Sequence, residues 1–340
     1  MDRISYTPIP PKTKEIIFPN LAGFWSNYEE SGFKNRSLSP MKWFLISLFL
    51  LPALILGEQD FRGQFHDQFD RGDLSGAETT LAGWEASCRE DVELLAAYGS
   101  FYGQKAKKGK RVTTAKLSPR NEITLSRPQR VMPGENKDSQ TRFDRKTLLK
   151  GVRILKKGME LYPRRIDLRF DLARFYQILG EFESQYLILS ETLQYLDKNR
   201  KNSKWTNNEN LPDRPSRFIP DYMQGFETYY FEQQGMDGDE KGYRLAKLTL
   251  TYFPNHPAAY NSIAAYFSYI NDWEHALKYL LLANQKDPKD SLILNNIGKA
   301  LVKFDKKKEA GIYFQKVVDL NNDDESVQFA RKQLEELPKD

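Results

Sequence analysis

The chain has 340 residues, with 51 Lys and Arg against 46 Asp and Glu, a net charge of +5 and a mean hydropathy of −0.66. That length holds one or two ordinary domains or one elongated solenoid, and the hydropathy marks the chain as a whole as soluble. A single cysteine, Cys88, excludes an internal disulfide and a cysteine metal cage, and is expected as a small, half-buried side chain. Aromatic residues at 13% are more than a disordered chain carries.

Residues 1–40 show neither helical nor strand period. Residues 43–56, WFLISLFLLPALIL, are uncharged, with Lys42 before them and Glu58 and Asp60 after. The run is shorter than the roughly 20 residues that cross a bilayer comfortably, and Pro52 interrupts it, as suits a secretory signal. It starts forty residues in, however, and Ile55 and Gly57 fit the small-x-small cleavage pattern poorly. Two readings follow. Either Met41 is the true start and 41–57 a signal peptide, or 41–57 is an uncleaved anchor behind a short cytoplasmic tail. Lys34, Arg36 and Lys42 on one side and Glu58, Asp60 and Asp67 on the other place residues 58–340 outside the cytoplasm in both.

Phe61, Phe65 and Phe69 then recur on one helix face, and Gly72 and Asp73 break it. Ala77, Leu81 and Trp84 make a second stripe, and Leu95, Tyr98, Gly99 and Tyr102 a third. From about 104 to 145 the period is lost and the sequence turns basic, punctuated by Pro119, Pro128, Pro133 and Gly134. A loop this long is functional or disordered. Within it, RVTTAKL and NEITLSR are candidates for a β-hairpin. Helical stripes resume at Gly151, Leu155 and Gly158, then at Leu172, Ala173 and Tyr176, with Gly180 as a turn and Gln185, Leu189 and Thr192 beyond it. Residues 198–220 read as a polar linker loop. Phe226, Tyr229 and Tyr230 open a degenerate pair with an extra loop at 235–239, followed by Gly242, Ala246, Thr249 and Pro254.

The clearest pattern is at the end of the chain. Tyr260, Ile263, Ala264, Phe267, Ala276, Leu280 and Ala283 reappear as Leu294, Ile297, Gly298, Leu301, Ala310, Phe314 and Val317, each thirty-four positions on. Small residues sit where two helices must approach and large ones fill the groove beside them. Asn271 and Asp272 are suited to the helix end and the next N-cap. Residues 326–337 form an amphipathic closing helix. The pattern resembles the tetratricopeptide repeat (TPR) family over most of 58–337 and fails over 1–57 and the two loops. The resemblance implies an all-α, right-handed solenoid of about six helical hairpins that binds a protein or extended peptide on its concave face.

By that resemblance the inner face is lined by Arg174, Gln177, Asn261, Ser268, Tyr269, Asn295, Lys299 and Lys303, a mildly basic, amide-bearing and aromatic set. Asparagines suit a peptide backbone and lysines its acidic groups. The basic and asparagine clamp with which some cytoplasmic TPR domains hold chaperone C-termini is not matched: its positions read Asn261, Ala265 and Asn296, without the cations. No catalytic, metal or cofactor motif is present: His66, His256 and His275 are scattered, and no phosphate-binding glycine loop or nucleophile elbow occurs. The expectation is a non-enzymatic scaffold, monomeric or within a hetero-complex. A second reading is a membrane-anchored envelope assembly factor whose basic loop touches anionic lipid or envelope polymer, nucleic acid being disfavoured by export.

Overall fold

A computed structural model describes residues 60–110, 141–211, 215–233 and 235–337. The N-terminal tail, the apolar run at 43–56 and the candidate hairpin at RVTTAKL and NEITLSR lie outside them. Among the described residues there are thirteen α-helices: α1 (Phe61–Asp70), α2 (Leu74–Ser87), α3 (Val92–Lys105), α4 (Arg145–Leu161), α5 (Ile166–Leu179), α6 (Phe182–Asn199), α7 (Pro215–Glu232), α8 (Met236–Tyr252), α9 (Pro257–Tyr269), α10 (Trp273–Lys286), α11 (Ser291–Lys303), α12 (Lys307–Leu320) and α13 (Asp324–Glu336). They pack as successive pairs, α1 with α2 through α11 with α12, and α13 covers the last pair. The result is an all-α solenoid. No described helix is long and apolar enough to cross a membrane.

Aspartates start many of these helices. Asp60, Asp73, Asp91, Asp144, Asp272, Asp290 and Asp323 each accept a hydrogen bond from a first-turn backbone N–H. The carboxylate satisfies a donor the helix leaves open and meets the positive end of its dipole.

The turn inside a pair is also repeated. Gly72, Gly180, Asn271 and Asp305 all adopt left-handed backbone, with φ of 76°, 75°, 62° and 55°. At each one, that residue's N–H bonds back three residues and the next N–H bonds back five, as in Asn271 to Ser268 (3.1 Å) and Asp272 to Phe267 (2.8 Å). This closes the exposed carbonyls of the first helix and reverses the chain in a fixed direction. Glycine takes that conformation freely, and Asn and Asp are the side chains that tolerate it best.

Between α3 and α4 the turn is replaced by the insertion. Its two ends meet in a ribbon, β1 (Lys107–Lys110) antiparallel to β2 (Thr141–Phe143), with Lys107 opposite Phe143. The Asp144 N–H donates to the Ala106 carbonyl at 2.7 Å. The sequence had given no sign of this pairing.

Three other expectations are corrected. The linker at 198–220 is largely structured: α6 runs to Asn199, short 3-10 turns follow at Arg200–Asn202 and Thr206–Asn208, and α7 begins at Pro215. The extra loop at 235–239 is the first turn of α8. Both stretches are polar because they are surface turns and helix starts, which composition alone does not separate from loop. Cys88 is exposed rather than half-buried, because it lies just past the end of α2.

The apolar core falls into three groups. Phe65, Ala77, Leu81, Trp84 and Phe101 pack α1–α3. A large aromatic-rich group, including Phe170, Phe175, Phe182, Phe226 and Tyr230, joins α3–α8. A group rich in alanine joins α9–α13, with Ala264, Ala276, Ala283, Ala300 and Ala310 around Ile297 and Phe314. Trp84, in a slot expected to be small, is buried with the α1–α3 group, and its Nε1 donates to Asp91 at 2.9 Å. A methyl group at Gly298 would run into the Phe314 ring, so glycine there is a packing requirement.

Candidate functional site

Three first helices, α5, α9 and α11, carry the side chains expected to face a ligand. Phe170, Asn261 and Asn295 each stand three residues before the small residue of their helix, Ala173, Ala264 and Gly298. Three hairpins thus share one slot as well as one turn. The architecture is TPR-like.

The slot is not open, however. Asn261 is fully buried and accepts a hydrogen bond from Asn296 Nδ2 at 2.8 Å. Asn295 is buried and donates to the Ser326 carbonyl at 2.9 Å. The Ser268 hydroxyl, also buried, donates to the Ala265 carbonyl at 2.8 Å, and Gln177 is buried too. Asn261 and Asn295 reach the next helix instead of solvent and join α9 to α11 and α11 to α13, Ser268 bonds within its own helix, and Gln177 is buried with its Nε2 unbonded. An amide pairing of this kind offsets the cost of burial. Four of the eight expected contact residues are therefore buried rather than open to a ligand.

The other four keep some exposure. Lys303 is exposed, and Arg174, Tyr269 and Lys299 are half-buried. The Lys303 ammonium lies 5.0 Å from the centre of the Trp273 ring, and that of Lys299 4.5 Å from Phe329. Burial lowers the Lys299 pKa to about 8. Tyr269 meets Phe231 edge-on at 5.9 Å. Near the C-terminal end of the solenoid, then, there are two lysines, each over an aromatic face, and a tyrosine. Trp273 and Phe329 escaped sequence reasoning, since the pairing of Trp273 with Lys303 exists only once α10 and α11 stack.

The same slot at the other end of the row is filled from within the chain. Trp205 packs on Phe170 (6.0 Å between centres), Phe218 (4.9 Å) and Tyr222 (5.2 Å). Its segment runs beside the start of α5: Lys204 N–H donates to the Arg164 carbonyl at 2.7 Å, and Ile166 N–H to the Lys204 carbonyl at 2.9 Å. Below it, the fully buried Arg165 guanidinium bonds Asp167 (2.7 and 2.9 Å) and Glu93 (2.6 Å). Burial acts to lower the Arg165 pKa, and the hydrogen bonds to Asp167 and Glu93 outweigh it, leaving the pKa raised. Asn207 N–H donates to Glu93 as well, so the network ties this segment to α3.

A cleft of about 550 Å³ between the starts of α6 and α8, lined in part by Glu181, Glu183, Asp237, Lys241 and Arg244, contains none of the expected contact residues. Within it Arg244 bonds Glu183 at 2.7 and 3.0 Å. No group of His, Cys, Asp and Glu among the described residues is arranged to hold a metal.

No protein-family profile matches the chain, and no curated protein sequence matches it significantly. Solved structures do. MamA from Desulfovibrio magneticus is 14% identical, with 52% of this chain and 87% of that one covered and a TM-score of 0.32. YrrB, described as a TPR protein with an unusual peptide-binding site, is 13% identical, with 55% and 84% covered and a TM-score of 0.35. The TPR2AB domain of yeast Sti1 in complex with pHSP90 is 10% identical, with 81% and 96% covered and a TM-score of 0.31. These superpositions are loose, and the TPR-like assignment rests on this chain's own phase, turn and pairing.

Proposed function

We propose that this protein is a non-enzymatic TPR-like scaffold that binds a protein or an extended peptide outside the cytoplasm, on the C-terminal part of its inner face. The contacts in this reading are Tyr269, Lys299 and Lys303, with Trp273 and Phe329 as apolar floor. The observation that carries it is the pair of lysines held over aromatic rings on α11 and its neighbours. A cation in partly dry surroundings attracts an acidic group more strongly than one in water, and the rings supply apolar contact beside it. Arg174 sits at the edge of the covered half and is a weaker candidate.

A peptide library displayed against the full chain tests the reading. Acidic peptides with an aromatic residue are expected to be enriched, and Lys299→Gln with Lys303→Gln to weaken their capture at least about ten-fold, consistent with loss of charge-assisted contacts. Capture unchanged in the double variant and in Tyr269→Ala would sink the groove assignment.

The extracytoplasmic part rests on the apolar run at 43–56 and its flanking charges. Cys88 is the chain's one thiol and is exposed, so a membrane-impermeant maleimide reports its side of the membrane. Labelling in intact spheroplasts is the expected result, and labelling only after permeabilisation would refute export. N-terminal sequencing separates a mature chain starting near Glu58 from an anchored chain retaining Met1.

A further inference from the structure

Helix α4 has two unlike faces. Leu148, Gly151, Val152, Leu155 and Gly158 are buried against α3 and α5. On the other side Lys146, Lys150, Arg153 and Lys157 are all exposed. Their spacing of four, three and four residues sets them in one row, about 16 Å long at 1.5 Å per residue. Arg142 and Lys156 are exposed beside the row. Among the described carboxylates around α4, Asp144 is bound by Lys108 and Thr147, and Glu181 by Arg145. Glu160, at the far end of the helix, is the one carboxylate on α4 itself.

None of the four row cations has a carboxylate partner among the described residues. This is not how the chain treats its other basic clusters. Lys306 and Lys307 face Glu309 and Asp305 at 3.8 and 3.1 Å. Lys150 lies over the Tyr102 ring at 6.0 Å, a contact that leaves its charge in place. A straight row of cations without carboxylate partners among the described residues is a concentrated positive field, and it fits a surface of opposite sign.

We infer that the exposed face of α4 docks on an anionic lipid bilayer, through Lys146, Lys150, Arg153 and Lys157. Two observations select a bilayer among polyanions. The apolar run ends at Leu56, five residues before α1 starts, so by the reading given above the chain carries its own membrane-directed segment, joined to the solenoid by a short stretch of sequence. The row is also straight, on the face of α4 opposite the one packed on α3 and α5, and a straight row suits a flat anionic surface. Anionic headgroups attract each such cation, and the attraction fades within a Debye length. The inference rests on the membrane-directed reading of 43–56 and is independent of the peptide reading of α11.

The test uses the full chain and vesicles of phosphatidylcholine alone or with phosphatidylglycerol. The neutral vesicles measure whatever the apolar run contributes by itself. Partition into anionic vesicles is expected to exceed that into neutral ones by more than about ten-fold, and to fall between about 0.05 and 0.3 M salt. Replacing Lys146, Lys150, Arg153 and Lys157 with Gln is expected to remove the preference. The same change at the exposed Lys278, Lys289, Lys306 and Lys316 is expected to keep it. Retained peptide capture by the α4 variant shows that the solenoid is intact and that the two sites are separate. Equal partition into both vesicles, or an equal loss in the control variant, overturns the inference. So does tighter binding of a DNA duplex than of anionic vesicles at matched salt, which would assign the row to nucleic acid.

Discussion

The last two hairpins and the middle of the solenoid solve one packing problem in different ways. In α9–α12 small residues bring the helices close and a few large ones fill what is left, so each slot has one job. In α4–α8 aromatics pack on aromatics, and a surface segment adds Trp205 to the cluster. The first solution repeats in sequence because each side chain answers to a fixed neighbour. The second does not, because a group of rings can be filled in several ways provided the volume is kept.

That contrast is sharpest at single rings. Phe314→Ala removes the side chain packed against Gly298, in a group rich in buried alanines, with Phe329 as the ring beside it, 6.2 Å away. We expect a loss of about 3–5 kcal/mol in denaturant titration. Phe170→Ala, among Trp205, Tyr222 and Phe226, is expected to cost clearly less because those rings can shift. Equal losses would break the distinction.

The seam between the two regions is polar. The Glu227 carboxyl on α7 is buried and accepts from Thr249 Oγ1 on α8 at 2.7 Å and from Ser262 on α9. Burial raises its pKa from 4.5 to about 7. The stability it contributes is thus complete below the unfolded pKa and is lost as pH rises from about 4.5 to about 7. His256, at the start of α9, has the opposite sign: burial, with Arg217 nearby, lowers it from 6.5 to about 4, so its contribution is lost as pH falls through that window. Glu227→Gln is expected to stabilise the protein at pH 7.5, by on the order of 2 kcal/mol, and to have little effect at pH 4. Thermal unfolding at the two pH values checks this, and a pH-independent difference would refute it.

Smaller effects belong to the turns. Asn271→Ala forces a Cβ-bearing residue without a helpful side chain into left-handed backbone and is expected to cost about 1 kcal/mol, while Asn271→Gly is expected to be near neutral. An identical melting temperature for both variants would remove the turn's role in setting the hairpin.

Helix pairing was legible from stripes such as Tyr260, Ile263, Ala264 and Phe267, since burying a stripe is what forms a helix here. The site was read less well. Asn261 and Asn295 look like ligand contacts because polar residues on a repeat's inner face usually meet solvent, and only the spacing of neighbouring helices shows that each bonds the helix that follows, α11 for Asn261 and α13 for Asn295. Lys299 and Lys303 remained accessible because their long side chains reach past that contact. The fold of 200–211 was illegible for a related reason: Trp205 finds its partners on α5 and α7, far along the chain, and local composition records only a polar loop.

The ribbon at the base of the insertion separates two kinds of continuity. The chain leaves the solenoid at Ala106 and returns at Asp144, and those two residues are hydrogen-bonded to each other. The helices on either side pack as directly as any uninterrupted pair. Mechanical continuity of the solenoid therefore passes through the interface of α3 and α4 and bypasses the peptide between them. A protease cut between 111 and 140 should leave two fragments that travel as one particle and melt together. The insertion can be lengthened, cleaved or exchanged as a cartridge while the rod that carries it stays whole.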